Sequence, residues 1–166
     1  MRPNFLAWTT YESPLGTLTL SATDRGLSGL HFRGRTGGLS EADRDSAPFA
    51  AATLQLDQYF AGARREFDLE LDQSTGTPFQ RAVWRELRRV PYGETVSYGE
   101  LARRIGRLDR IRAVGGANAR NPLSIVVPCH RVVGADGRLT GYGGGLERKR
   151  ALLDLEAGVA ALVLQV

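Results

Sequence analysis

The sequence predicts an α+β chain: a small antiparallel-sheet domain over residues 1–74, then a mostly helical domain over 75–166 with a helix-turn-helix. Three observations predict it. Residues 5–11, 16–22 and 26–33 alternate apolar and polar side chains around short turns, the period of half-buried strands. From Pro78 onward the apolar residues recur at helical spacing instead. Charge changes at the same joint. Residues 1–72 hold 7 arginines against 10 carboxylates, net −3, and residues 73–166 hold 15 basic against 8 acidic side chains, net +7.

Each element has its own signal. Pro14-Leu15-Gly16 and Asp24-Arg25-Gly26 are turn sequences, so the first three strands read as a meander. "GRTGGLSEADRDS", residues 34–46, is polar and glycine-rich and reads as a loop. Phe49, Leu54, Leu56, Tyr59 and Phe60 mark a helix over 48–60, and "EFDLELD" alternates as a further strand. Thr77-Pro78 opens a helix with proline in its first turn, and Phe79, Val83, Trp84, Leu87 and Val90 form its buried face. "PYGET" breaks that helix. Ser97 caps "YGELARRIG", with Glu100 at the reach-back position of a capping box. Asp109 is placed to cap "RIRAVGGANAR", and Asn121-Pro122 ends it. "SIVVPCHRVV" reads as extended, "GADGRLTGYGGG" as a loop, and "LERKRALLDLEAG" as a last amphipathic helix stopping before Gly158.

Composition excludes several classes. No stretch approaches the roughly 18 apolar residues of a membrane helix, and the N-terminus lacks the apolar core of a secretory signal. One cysteine and two histidines leave no disulfide framework and no multi-cysteine zinc site. The expectation is a cytoplasmic protein with no metal and no cofactor. The basic C-terminal half points to a polyanion partner, although arginine is abundant throughout and Lys149 is the only lysine.

The pair of short helices carries the next clue. Such a pair alone is more often plain core architecture than a DNA-binding motif. The second helix is unusual, because Ala113, Gly115, Gly116, Ala117 and Ala119 leave it nearly bare. Each interior glycine costs roughly 1 kcal/mol relative to alanine. Small residues serve where a core neighbour or a nucleic-acid groove must come close. Arg103, Arg104, Arg107, Arg110, Arg112 and Arg120 crowd the same motif, which tilts the reading toward DNA.

Cys129 stands beside His130. A lone cysteine in an apolar run is commonly a buried, inert hydrophobe. The alternative is a nucleophile with a base and an orienting carboxylate. Neighbours on a strand face opposite ways, so a direct Cys129–His130 bond is not expected, but Pro128 breaks the run and leaves a kink with a bridging water open. Glu156 is placed to orient the histidine if the last helix packs behind the site. A cysteine beside a base and near arginines is expected to have a depressed pKa.

At these residues the chain resembles the O6-alkylguanine-DNA alkyltransferases. "GTPFQRAVWRELRRVPYGETVSYGELARRIG" and "RAVGGANARNPLSIVVPCHRVVGADGRLTGYGGGLERKRALLDLE" carry the resemblance over residues 75–157. "SPLGTLTLSATDRGLSGLHF" resembles the family's variable first domain, which implies a ribonuclease-H-like sheet.

The resemblance implies roles. Cys129 is the thiolate that accepts the alkyl group, His130 the base acting through a water, and Glu156 its polarising partner. Tyr98 gives a proton to the leaving base, and Asn121 holds the turn before the active-site strand. Arg112 enters the base stack, with Ala113, Gly115, Gly116, Ala117 and Tyr98 against the DNA. Val132, Tyr142, Gly143 and Gly144, within a loop running to Gly145, line the base pocket. The implied partner is duplex DNA carrying O6-alkylguanine, bound by a monomer, with cooperative loading left open. The damaged base must leave the duplex to reach Cys129. The chain reads Leu108-Asp109 where the family usually has a proline in the helix-turn-helix. Other readings are a non-catalytic lesion-binding module and a cysteine hydrolase that turns over.

Overall fold

The computed structural model describes residues 5–32 and 38–159. Strands β1 (Phe5–Ser13), β2 (Gly16–Thr23) and β3 (Gly26–Phe32) form the expected antiparallel meander in that order. Gly26 is needed at its turn: its φ is 143°, and a Cβ there would come within 2.5 Å of the Glu70 carbonyl oxygen. Residues 33–37 of the strand end and predicted loop lie outside the described residues. The rest of that loop is not featureless, since Ser40 caps a short 3-10 turn over Glu41–Asp43.

Helix α1 (Ala50–Phe60) buries Ala52, Leu56, Tyr59 and Phe60 against the sheet. Leu54, expected on that face, is 56% exposed. It sits two residues before Leu56, about 200° around the helix, on the opposite side. The predicted strand over 66–72 is extended but pairs at one point only. The Leu27 N–H donates to the Glu70 carbonyl at 2.9 Å, and the Asp72 N–H donates to the Leu27 carbonyl at 2.8 Å. Phe67, Leu69 and Leu71 still pack on the core, so the alternation reported burial correctly and pairing incorrectly.

The C-terminal half follows its punctuation closely. Thr77 caps α2 (Pro78–Leu87) in a full capping box with Gln80, and Val83, Trp84 and Leu87 face inward. Ser97 caps α3 (Tyr98–Arg104) by accepting from the Glu100 N–H at 3.0 Å. The Glu100 side chain does not reach back; Arg103 and Arg104 hold it. After Gly106, with φ 72°, a 3-10 turn over Leu108–Arg110 leads into α4 (Ile111–Ala119). Asp109 is therefore inside the turn and does not cap α4. Its carboxylate is taken by Arg107 at 3.1 Å. Two-residue strands β4 (Val96–Ser97) and β5 (Val132–Val133) pair in parallel, and α5 (Leu146–Glu156) closes the fold.

One hydrophobic core runs through both halves, joining Leu20, Leu30 and Leu56 to Val83, Leu101, Leu123 and Leu152. Backbone bonds tie them as well. On β3, the Leu30 N–H donates to the Pro122 carbonyl at 2.9 Å, and the Leu30 carbonyl accepts from Ser124 at 3.1 Å. The sheet edge thus holds the segment that leads into Cys129.

Candidate active site

Cys129 is delivered by two tight turns, not by the extended strand expected. The Val126 N–H donates to the Ser124 carbonyl at 2.8 Å, closing a three-residue turn around Ile125. Ile125 has φ 73°, a strained angle for a β-branched side chain. The Cys129 N–H then donates to the Val127 carbonyl at 2.8 Å around Pro128, whose φ of −82° and ψ of 65° suit an inverse γ-turn. Proline fixes that φ covalently. Cys129–Arg131 forms a short 3-10 turn, so the alternation rule for strand neighbours does not govern Cys129 and His130.

Asn121 holds this path. Its Oδ1 accepts from the Leu123 N–H at 3.0 Å, and its Nδ2 donates to the Val127 carbonyl at 2.7 Å. Asn118, on α4, donates to the Cys129 carbonyl at 3.4 Å.

Behind Cys129 lies a buried polar cluster. His130 Nε2 is 2.7 Å from Glu156 Oε1. An ionised carboxylate can only accept, so Nε2 carries the proton and Nδ1 the lone pair. Nδ1 is buried with no protein partner among the described residues. Arg131 grips Glu156 with two bonds, at 2.8 and 2.9 Å, and donates a third to the Val90 carbonyl at 2.6 Å. Tyr59, from α1, donates its hydroxyl to Glu156 Oε1 at 2.8 Å. Burial resists the Glu156 charge, yet the His130 hydrogen bond and Arg131 hold its carboxyl well below the usual carboxylate range. Burial lowers the basicity of His130 by more than Glu156 raises it, which keeps the ring neutral at neutral pH.

The expected depression of the cysteine pKa is not found. Burial pushes the Cys129 thiol up, against smaller opposing effects from Asn121 and the Lys149 charge. No arginine contributes to the Cys129 shift, and the nearest in sequence, Arg131, is committed to Glu156. Lys149 is buried and donates to the Thr140 carbonyl at 2.8 Å.

Cys129 opens onto a cleft of about 50 Å³ shared with Asn118, Asn121, Phe32, Tyr142 and Gly141 to Gly144. Tyr142, Gly143 and Gly144 thus line the cleft at Cys129. Val132 does not: it is fully buried in β5, paired with Val96. A side chain at Gly144 would force the rings that flank it to shift, because a Cβ would meet Phe32 at 2.8 Å and Tyr142 at 2.9 Å. The Tyr98 hydroxyl accepts from Thr140 at 3.1 Å, and its ring lies beside Gly115.

Helix α4 has two faces. Val114, Ala117 and Asn118 are buried, and the Ala117 carbonyl accepts from Trp84 Nε1 at 2.8 Å. Ala117, expected against DNA, therefore belongs to the core face. The open face carries Ile111, Arg112, Gly116, Ala119 and Arg120, with Ala113 and Gly115 half-buried at its border. A Cβ on Gly116 would meet nothing within 4 Å, so no core neighbour requires that glycine. Arg112 has no intramolecular hydrogen bond or ion pair among the described residues.

Sequence reasoning passed over Asn118, Arg131 and Tyr59. Arg131 had a signal, since a charge inside an apolar run needs a buried partner. Tyr59 had none, because its partner lies 97 residues away.

Comparison with known proteins agrees with this geometry. Residues 78–158 match the family model of the 6-O-methylguanine DNA methyltransferase DNA-binding domain, and residues 6–73 match that of its ribonuclease-like domain. A methylated-DNA–protein-cysteine methyltransferase of Mycolicibacterium paratuberculosis is 53% identical over 91% of this chain and 92% of its own length. One from Methanosarcina acetivorans is 46% identical over 88% of this chain and 95% of its own length. The crystal structure of Mycobacterium tuberculosis OGT in complex with DNA superposes with a TM-score of 0.84 at 50% identity, covering 93% of this chain and 94% of that one. Matched at this identity along nearly its whole length, in both halves and in fold, the chain belongs to the methylated-DNA–protein-cysteine methyltransferase family.

Proposed function

We propose that this protein repairs duplex DNA by direct reversal, moving the alkyl group of O6-alkylguanine, and of O4-alkylthymine, onto Cys129. The observation that carries the reading is the buried His130–Glu156 pair at 2.7 Å, which leaves an unpartnered lone pair on Nδ1 of the histidine that follows the single cysteine in sequence. In the reaction the Cys129 Sγ–carbon bond forms as the O6–carbon bond breaks. The thiol proton passes through a water to His130 Nδ1, and Glu156 stabilises the resulting imidazolium. Guanine leaves with its electron pair and takes a proton from the Tyr98 hydroxyl, which is replenished from the histidine. Atoms and charge balance without a cofactor. The thioether is stable, so each molecule acts once.

Binding follows from the open face of α4. Its bare residues suit close approach to a minor groove, and Arg112 fills the stack left by the extruded base. The protein acts as a monomer in the cytoplasm. Among the described residues, no helix is long and apolar enough to cross a membrane.

The test is the intact mass of the protein after mixing with a duplex carrying one O6-methylguanine, followed by peptide mapping. A gain of one methylene unit on Cys129, saturating at one per molecule, is expected. An unchanged mass with the duplex bound would favour a lesion-binding module. Repeated release of alkyl product would favour a hydrolase.

A further inference from the structure

We propose that Tyr59 is a positioning residue of this site: its hydroxyl, brought by α1 of the N-terminal half, fixes the Glu156 carboxylate and through it the proton-accepting orientation of His130. The inference rests on the alkyl-transfer reading above and extends it to a half of the chain that carries none of the reacting atoms.

The geometry is specific. Glu156 Oε1 collects three donors: His130 Nε2 at 2.7 Å, the Tyr59 hydroxyl at 2.8 Å and Arg131 Nη2 at 2.9 Å. Oε2 takes Arg131 Nε at 2.8 Å. His130 and Arg131 are on one short turn, so they approach the carboxylate from one element. Tyr59 is the donor that comes from elsewhere. It is fully buried, and its ring is wedged by Phe60 at 5.3 Å, Phe67 at 5.4 Å and Tyr92 at 6.2 Å. A phenol held this firmly sets where Oε1 stands, and Oε1 sets the tilt of the imidazole.

The charged and titratable surroundings are few. Glu156 is faced by His130 and Arg131 from the active-site turn, Tyr59 from α1, Tyr92 from the segment after α2, and Tyr142 from the cleft loop. Lys149 acts on His130 and Cys129 from α5. Arg65 lies over the Tyr92 ring at 5.3 Å. Burial first, and then the Glu156 charge, hold the Tyr59 phenol well above its usual range, so it stays protonated and donates.

The donor count predicts a sign. Removing the hydroxyl leaves more negative charge on Oε1, which stabilises the imidazolium and raises the pKa of His130. The experiment measures the rate of methyl transfer from a duplex carrying one O6-methylguanine to the full-length protein, along the acid limb of its pH profile. Tyr59→Phe should slow transfer about tenfold, the equivalent of one charge-assisted hydrogen bond, and move the limb up by about half a unit. Replacing Tyr59 by 3-fluorotyrosine keeps the packing and sharpens the donor, so the limb should move down. Phe49→Leu, at the opposite end of α1, weakens the core with the Tyr59 hydroxyl and its wedging rings intact. It should lower the melting temperature and leave the limb in place. If Tyr59→Phe fails to fold, the fluorotyrosine protein decides alone. Limbs that coincide with wild type would overturn the role of Tyr59 while wild-type methylation of Cys129 upholds the underlying reading. A wild type that takes no methyl group would overturn both.

Discussion

Gly116→Ala separates what α4 does for stability from what it does for DNA. Gly116 is an interior residue of α4 on its open face, and a Cβ there meets nothing within 4 Å. Its φ is not left-handed, so alanine fits without strain. Alanine favours a helix interior over glycine by about 1 kcal/mol. For a chain of this length that raises the melting temperature by about 2–4 °C. If the face lies against a DNA groove, the added methyl must be accommodated at a packed contact, at a cost of about 1–3 kcal/mol. Duplex affinity then falls roughly 5- to 150-fold. The assays are thermal unfolding and fluorescence anisotropy with duplex at one fixed salt concentration, since affinity depends steeply on salt. Reaction of Cys129 with a free O6-alkylguanine base, which needs no groove, should be unchanged. A more stable variant that binds duplex as well as wild type would refute the assignment of this face to DNA.

Cys129→Ser should abolish alkyl transfer while leaving duplex affinity within about twofold; any residual transfer would remove Cys129 as acceptor. Arg112→Ala should slow repair in duplex far more than reaction with the free base, and equal slowing would exclude a role in base extrusion. Binding should weaken with salt by roughly 0.9 log units per log unit for each phosphate neutralised, so a flat response would remove the electrostatic argument. Stability should fall with acid. Burial lowers the pKa of His130, and Glu156 is held low by His130 and Arg131 in spite of its burial. The unfolded chain therefore binds more protons than the folded one. Stability is lost first through the ordinary histidine range near about 6.5, then as Glu156 is titrated below the ordinary carboxylate range near about 4.3. Thermal unfolding should track this fall, and His130→Gln should flatten its upper part. A wild-type curve flat between about pH 7 and pH 5 would contradict the buried neutral histidine.

Local chemistry was legible wherever one residue decides a conformation. Thr77-Pro78 and Ser97 start helices, Gly26 makes its turn, and the spacing of Val83, Trp84 and Leu87 marks a buried face. The errors share one cause, which is that a partner distant in sequence decided the outcome. "EFDLELD" alternates like a strand, but β3 offers it a backbone partner only at Leu27. "SIVVPCHRVV" is apolar enough for a strand, yet Asn121 and the edge of β3 bind its backbone and bend it into tight turns. Asp109 suited a cap until Arg107 claimed its carboxylate. At the site, Cys129, His130 and Glu156 carried a pattern, whereas Tyr59 and Asn118 act through contacts that only the folded chain creates.

The raised pKa of Cys129 fits the proposed chemistry better than the depressed one expected. A cleft of about 50 Å³ has room for a few waters, at roughly 10–15 Å³ each. In the proposed reaction the extruded base enters beside the loop that carries Gly141 to Gly144, and that loop is pinned in place. Arg148 donates to the Gly144 carbonyl at 3.0 Å and to the Leu15 carbonyl of the β1–β2 turn at 2.7 Å, with its guanidinium over Phe32 at 5.1 Å. Until a base enters, the thiol is buried and protonated, and His130 is neutral beside it. An acceptor that can be used once gains from this arrangement, because a standing thiolate would react with any passing electrophile. In the proposed reaction the thiolate forms only as a bound base, free or extruded, meets Cys129 and His130 takes the proton.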